Sequence, residues 1–394
     1  MKLKHGLHLA YCTNIHRGET WAQTFDTLQR YTLAVRDRVG RGQPYAIGLR
    51  LGAAAATELS ARETLRNFRQ WLEREQCYVF TINGFPYGQF HGTRVKEQVY
   101  APDWTTRERV DYTNLLFDLL AELLPDGMSG SVSTVPVSSK EFMTGPAQVE
   151  AATANLWSCL DHLERLCART GRDLHLGLEP EPLCFLETSV ETVQFFELLR
   201  RQRPGDDRWQ RRLGVNYDCC HLAVEFEAPG EALGRLQDHG IRISKIHLSS
   251  ALRVEPTPEV RVALESFADD IYFHQVIARG PGVVGNDALK RYRDLDVALA
   301  QAAKAPPDPG EEWRIHFHIP LHSPPTALYG NTQDHIAGVL AVLRKDPGFC
   351  QHFEMETYTW EVMPPELKKR DVVEQLVAEY AWTLSQLRQA GLAQ

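Results

Sequence analysis

The segment Leu174 to Glu181 alternates with period two. Leu174, Leu176 and Leu178 share one face, and His175, Gly177, Glu179 and Glu181 the other. The same division recurs elsewhere. In Ile243 to Ser249, Ile246 and Leu248 oppose Lys245, His247 and Ser249. In Trp313 to Leu321, Ile315, Phe317 and Ile319 oppose His316 and His318. In Leu7 to Ile15, Leu7 and Leu9 oppose His8, Ala10, Cys12 and Asn14. Strands with one apolar face and one small or polar face suit a closed barrel wrapped in helices. An open doubly wound sheet needs both faces apolar, and usually a glycine-rich phosphate turn after its first strand. Here that turn reads Thr13-Asn14-Ile15-His16-Arg17-Gly18. The pattern predicts an α/β fold, a (β/α)8 TIM barrel.

Further strands are expected at Tyr45–Gly52, Cys77–Phe85, Gly130–Ser138, Leu213–Cys219 and Phe353–Thr359, with helices between. Capping boxes at Ser60-x-x-Glu63, Thr105-x-x-Glu108 and Thr188-x-x-Glu191 mark three helix starts. Other helices are expected at 20–39, 146–170, 229–238, 333–344 and 364–392. Residues 251–312 break the rhythm. They are charged and rich in Gly and Pro, with one short strand-like run at Ile271–Ile277, and read as an insertion in a single domain spanning 1–394. The main strand candidates number nine where a barrel takes eight, so either one of them is an accessory strand outside it or one of the nine is misassigned.

A net charge of −8 argues against a phosphate backbone as partner, so no nucleic acid is expected. No run of 18 apolar residues exists, so no membrane span is expected. Met1-Lys2-Leu3-Lys4-His5-Gly6 leads into a strand without the features of a signal peptide. The eight cysteines never form C-x-x-C and are expected to be reduced and buried, as in a cytoplasm.

Barrels of this kind place their chemistry at the C-terminal strand ends. The inward polar residues there are Asn14, His16, Arg50, Asn83, Glu179, Glu181, Asp218, His221, His247, His318, His322, Glu354 and Glu356. The stretch Gly214-Val215-Asn216-Tyr217-Asp218-Cys219-Cys220-His221 is the clearest of these, a strand ending in a carboxylate with an imidazole three residues on. Mixed Asp, Glu and His ligation suits a divalent ion such as Mn, Zn, Co or Fe. Asp218 could instead cap a loop, Glu181 could be solvated, and His247 could be a satisfied core histidine. His318 and His322 could be ligands, substrate contacts or outer partners. Arg50 either binds an anionic or hydroxylated substrate or pairs with an inward carboxylate. Tyr11, Trp21, Phe85, Tyr87, Phe90 and Trp360 either line a sugar-like pocket or pack.

Glu at the fifth strand, D-x-x-H at the sixth, His at the seventh and Glu at the last resemble the xylose isomerase-like barrels, which include ketose 3-epimerases and endonuclease IV. His8-Leu9-Ala10-Tyr11-Cys12-Thr13-Asn14-Ile15-His16, Leu178-Glu179-Pro180-Glu181-Pro182, Asn216-Tyr217-Asp218-Cys219-Cys220-His221, His318-Ile319-Pro320-Leu321 and Glu356-Thr357-Tyr358-Thr359-Trp360 resemble the "metabolite traffic protein" EboE family. The resemblance implies that Glu179, Asp218, His247 and Glu356 bind one divalent metal (Mn, Zn, Co, Fe or Mg). It implies that His221 contacts substrate or a second metal. Two departures stand out: the insertion after His247, and the cluster His316-Phe317-His318-Ile319-Pro320-Leu321-His322. They leave open whether Glu356 or His318 is the fourth ligand.

Three functions are expected in this order. The first is a metal-dependent isomerase or epimerase of a small sugar, polyol or cyclitol in bacterial secondary metabolism. Glu179 and Glu356 would be its acid/base pair, with Asn14, Arg50, His221, His318 and His322 contacting substrate. The second is a metal-dependent phosphodiesterase of the endonuclease IV type. The third is a non-catalytic metabolite-binding or traffic module. The expected partner is a small molecule, with a homodimer left open and a functional link to proteins of the same gene cluster.

Overall fold

The computed structural model describes every residue except 41, 286, 287 and 366. Residues 286 and 287 of the expected insertion and residue 366 of the expected closing helix lie outside the described residues. The strands, in chain order, are β1 His8–Tyr11, β2 Tyr45–Arg50, β3 Cys77–Asn83, β4 Ser129–Thr134, β5 Asp173–Leu178, β6 Leu213–Asp218 and β7 Arg242–Leu248. Then follow β8 Ala251–Val254, β9 Val276–Arg279, β10 Lys290–Tyr292, β11 Glu312–His318, β12 Gly330–Asn331 and β13 His352–Met355.

β1 to β7 and β13 form one eight-stranded parallel sheet in the order β1-β13-β7-β6-β5-β4-β3-β2. A parallel bridge between Cys12 and Gly48 brings its two ends together, so the sheet is a nearly closed barrel with helices between strands. The alternation does what it predicts. Leu174, Leu176, Leu178, Ile246 and Leu248 are buried in the main apolar core, while His175, Lys245 and His247 share the barrel interior with other buried polar side chains.

Closure depends on the absence of a side chain at residue 48. A Cβ there would overlap Glu354 Oε1 and lie 2.6 Å from the Tyr11 carbonyl oxygen. Neither backbone nor a buried ion-paired carboxylate yields easily. Gly48→Ala is expected to destabilise the chain by about 1–3 kcal/mol in urea unfolding, and an unchanged midpoint would contradict this contact.

The ninth strand is Trp313–Leu321. It is β11, ends at His318, and lies outside the barrel. It sits in a five-stranded antiparallel sheet of order β10-β9-β11-β8-β12. The expected irregular insertion is therefore an ordered layer with its own core of Leu252, Val276, Trp313, Ile315 and Phe317, reaching as far as Asn331. It also holds helices Pro258–Leu264 and Leu295–Lys304. The run expected at Ile271–Ile277 pairs only from Val276 onward, as β9.

Helix starts follow local hydrogen bonding. The box at Thr188 and Glu191 forms, and so does one at Thr20 and Gln23. The other two expected boxes do not. Ser60 Oγ donates back to the Thr57 carbonyl, closing helix Ala53–Leu59 rather than opening helix Arg62–Arg74. Thr105 is held by Asp103 Oδ1, so helix Arg107–Leu123 starts after Thr106. The closing helix is shorter than expected, Val372–Gln389, because Asp371 caps it. All eight cysteines are unpaired and buried. Among the described residues no helix is long and apolar enough to cross a membrane.

Candidate active site

Four strand ends converge at the barrel's C-terminal mouth. Glu179 follows β5 and is tied to β4 by its backbone N–H on Thr134 O. Glu356 follows β13 and is tied to β7 through Leu248 O. Asp218 ends β6, and His247 lies one residue inside the end of β7. The side chains of Asp218 and His247 are fully enclosed, and Glu179 and Glu356 are 2% and 4% exposed.

His247 Nδ1 lies 3.1 Å from Glu179 Oε1, 3.3 Å from Asp218 Oδ2 and 3.0 Å from Glu356 Oε2. One N–H serves one acceptor at a time, yet three carboxylates face this nitrogen. Asp218 Oδ2 and Glu179 Oε2 are buried without a hydrogen-bond partner. Buried anions this close require a cation between them or a proton among them. Burial works against charge on His247, but Glu356 and Glu179 outweigh it and raise its pKa well above the ordinary value. Ligand atoms of the four residues lie within 4.8 Å of one another. Three carboxylates and one imidazole with orphaned oxygens fit a divalent cation.

Asp218 does two jobs at once. Its Oδ1 accepts from His221 N at 3.0 Å and from Ser249 Oγ at 2.7 Å, capping helix Cys219–Val224, while Oδ2 faces the cluster. Behind His247, Nε2 sits 3.0 Å from Glu354 Oε2, and Lys245 Nζ sits 2.6 Å from the same oxygen. Burial pushes the Glu354 pKa up, but Lys245 and His247 outweigh it and hold it at about 2. Glu354 is thus an ionised outer partner that orients the ring.

Glu356 Oε1 accepts from Asn14 Nδ2 at 2.7 Å and Asn83 Nδ2 at 3.2 Å. His318 reaches the cluster from outside the barrel, its Nδ1 3.1 Å from Glu356 O and its Nε2 buried without a partner. It belongs to a second metal-capable group with Asp218 and His221, and to a third with Cys220 and His316. Glu356, and not His318, shares the four-residue group with Glu179, Asp218 and His247. Cys220 is itself a member of that third group.

A cavity of about 50 Å³ opens over the cluster. Asn14, Asn83, Glu179, Glu181, His221, His316, Glu356 and Tyr358 supply its polar lining, and Phe85, Pro86, Phe90 and Val99 its apolar lining. Glu181 is 6% exposed, although a solvated loop position was the simpler sequence reading. Its period-two spacing from Glu179 carried the signal. Val99 and Tyr358 carried none.

Two expected contacts lie elsewhere. Arg50 is buried, its two terminal nitrogens held by Gly18 O, Gly88 O and Glu19 and its Nε without a hydrogen-bond partner. His322 is half-buried, with Nε2 3.4 Å from Arg370. Among the expected aromatics Phe85 and Phe90 line the cavity. Tyr11 bonds His16 and Thr32, Trp21 packs on Phe68, Tyr87 on Tyr112, and Trp360 under Lys368.

No protein-family model matches the chain, and no curated protein matches it. Solved structures do. An L-ribulose 3-epimerase superposes with a TM-score of 0.52 at 12% identity, covering 99% of this chain and 96% of its own. A xylose isomerase-like TIM barrel protein from Mycobacterium smegmatis, in complex with magnesium, superposes with a TM-score of 0.54 at 14% identity, covering 99% of both. The fold is a xylose isomerase-like TIM barrel. At these identities the likeness is one of architecture, and the site's chemistry is argued from this chain's own residues.

Burial also predicts a pH response. His8 and His335 are pushed down to about 4, chiefly by burial, and His175 and His352 lie well below the ordinary value for the same reason. The unfolded chain takes up these protons first, near 6.5, so their contribution is complete above that pH and is lost as pH falls. Glu379, raised by burial to about 7, acts oppositely, losing its contribution as pH rises. Away from the His247 cluster, Glu225 and Glu227 are raised by burial like Glu379, and His16 and His322 are lowered by burial like the four imidazoles, so six imidazoles outweigh three carboxyls. The melting temperature is expected to fall as pH drops from about 7 to about 5. A flat or rising profile would contradict neutral buried imidazoles.

Proposed function

We propose that this chain is a metal-dependent isomerase or epimerase acting on a small sugar, polyol or cyclitol. The observation that carries the reading is that Glu179 and Glu356 both line the cavity and both touch the His247 cluster. They come from strands separated by β6 and β7. Glu179, Asp218, His247 and Glu356 would hold a divalent ion, which when bound would supply Lewis acidity toward a carbonyl and its neighbouring hydroxyl. Glu179 and Glu356 exchange the proton of the intervening C–H between a base on one side and an acid on the other. Asn14 and Asn83 fix the Glu356 carboxylate, and Phe85 and Phe90 shield the cavity. The magnesium-bound M. smegmatis protein and the epimerase share the scaffold. The sequence resemblance to the EboE family implies, as part of this proposal, a setting in a bacterial gene cluster that makes or exports a small molecule.

The test is solvent exchange. Metal-loaded protein in deuterated water, offered a panel of ketoses and ketocyclitols, should wash out the proton beside a carbonyl in at least one of them, read by proton NMR. No exchange across the panel would count against the reading. A metal-cluster hydrolase of the endonuclease IV type is favoured by one observation, the second group of Asp218, His221 and His318 beside the first. It predicts two or more ions per chain and cleavage of a phosphodiester.

A further inference from the structure

One ring on the cavity wall is oriented from the accessory sheet. His316 lies in β11, is 3% exposed and lines the cavity beside Tyr358. Its main chain is tied to the two residues before β9. His316 N donates to Gln275 O, and His274 Nδ1 donates to His316 O at 3.1 Å. Its imidazole is tied to the same segment, with Nδ1 2.7 Å from Gln275 Oε1. The buried Gln275 amide cannot turn round. Its Nε2 donates to the Pro182 carbonyl at 3.2 Å and to Tyr100 Oη at 3.0 Å, and a carbonyl only accepts. An amide oxygen therefore faces the ring, and His316 Nδ1 carries the proton. Glu181 Oε1, 3.6 Å from the same nitrogen, lies beyond hydrogen-bond reach. A buried imidazole with a neutral partner stays uncharged, which leaves Nε2 as a lone pair. Tyr358 Oη, a hydroxyl able to donate, lies 3.5 Å from it.

We infer that Gln275 is a positioning residue of this cavity, acting through His316. It locks the ring in the tautomer whose Nε2 lone pair lies on the cavity wall, where it accepts from a donor group of the bound molecule. With the amide reversed, Nε2 would carry the hydrogen and the ring would donate instead. The same amide ties the accessory sheet to the barrel, because Pro182 follows β5 and Tyr100 follows β3. The accessory layer thus sets chemistry at the barrel mouth as well as covering it. The inference rests on the proposed function for its kinetic consequence, and the protonation of the ring is independent of that reading.

The test is heteronuclear NMR of the histidine ring nitrogens in the full chain loaded with zinc, which is diamagnetic. His316 is assigned by the signals that vanish in His316→Asn. The unmodified chain is expected to show this ring protonated on Nδ1 and bare on Nε2. A ring protonated on Nε2 overturns the inference, whether or not any variant folds. Gln275→Met removes the acceptor. It is expected to move the ring toward the Nε2–H form and to lower kcat/KM in the exchange assay about tenfold, the value of one hydrogen bond. Gln275→Glu keeps an oxygen at the same reach and is expected to keep Nδ1 protonated, which a loss of packing alone would not predict. An unchanged ring in Gln275→Met overturns the inference, as does a switched ring with unchanged kcat/KM. A ring that switches as expected, in a chain that exchanges no carbon-bound hydrogen, would uphold the hold of Gln275 on His316 and sink the isomerase alone.

Discussion

Glu356→Gln is expected to lower turnover by about 10²–10⁴-fold, the usual contribution of a positioned acid or base. Glutamine keeps the shape, and its amide oxygen can still accept from Asn14 and Asn83, which hold the native carboxylate at 2.7 and 3.2 Å. What is lost is a basic oxygen next to His247 and over the cavity. Glu179→Gln is expected to behave alike, because Glu179 borders the same cavity from β5. The measurement is kcat in the exchange assay, with the melting temperature as the control for folding. Unchanged kcat in either variant would remove that residue from the proton transfer.

The largest stability effect is expected inside the barrel, below the site. Lys245 and Glu354 are fully enclosed, with Nζ 2.6 Å from Oε2 and 3.0 Å from Ser133 Oγ. A buried pair contributes little net, but removing one partner strands the other charge. Lys245→Met is expected to destabilise the chain by about 3–5 kcal/mol in urea unfolding. The double variant Lys245→Met/Glu354→Gln should recover part of this, since the stranded carboxylate is gone. Equal losses in the single and double variants would mean that the ion pair is not the cause.

The barrel was legible because its strands bury one face against helices and turn the other inward, and period-two alternation records this directly. That record does not say which sheet a strand joins. Trp313–Leu321 alternates as cleanly as Leu174–Glu181, because β11 also covers an apolar core, formed with β8 and β9. The accessory layer stayed hidden for a different reason. β8, β9 and β10 have four, four and three residues, too few for a pattern, and they pair antiparallel across long stretches of chain.

The same logic divides the site. Glu179, Asp218, His247 and Glu356 sit at or beside strand ends, where phase fixes direction, and the structure brings them together. His322 lies past the end of β11, where a turn from Pro320 O to Ser323 N redirects the chain and phase no longer applies. Arg50 faces inward as its position implies, but Gly18, Gly88 and Glu19 lie far from it in sequence, and nothing local shows that they hold its terminal nitrogens. His316 and His318 were visible as a cluster. That they enter the mouth from a second sheet is a property of the whole topology.

Glu179, Asp218, His247 and Glu356 are proposed to form one divalent-metal site. Elemental analysis of the purified chain and of Asp218→Asn tests it most directly, because Asp218 Oδ2 faces the cluster without a hydrogen-bond partner. A single tightly held divalent ion per chain is expected, lost or bound at least about tenfold more weakly in the variant. A folded, unmodified chain that retains no divalent metal, or a variant that holds it as tightly, would contradict the claim.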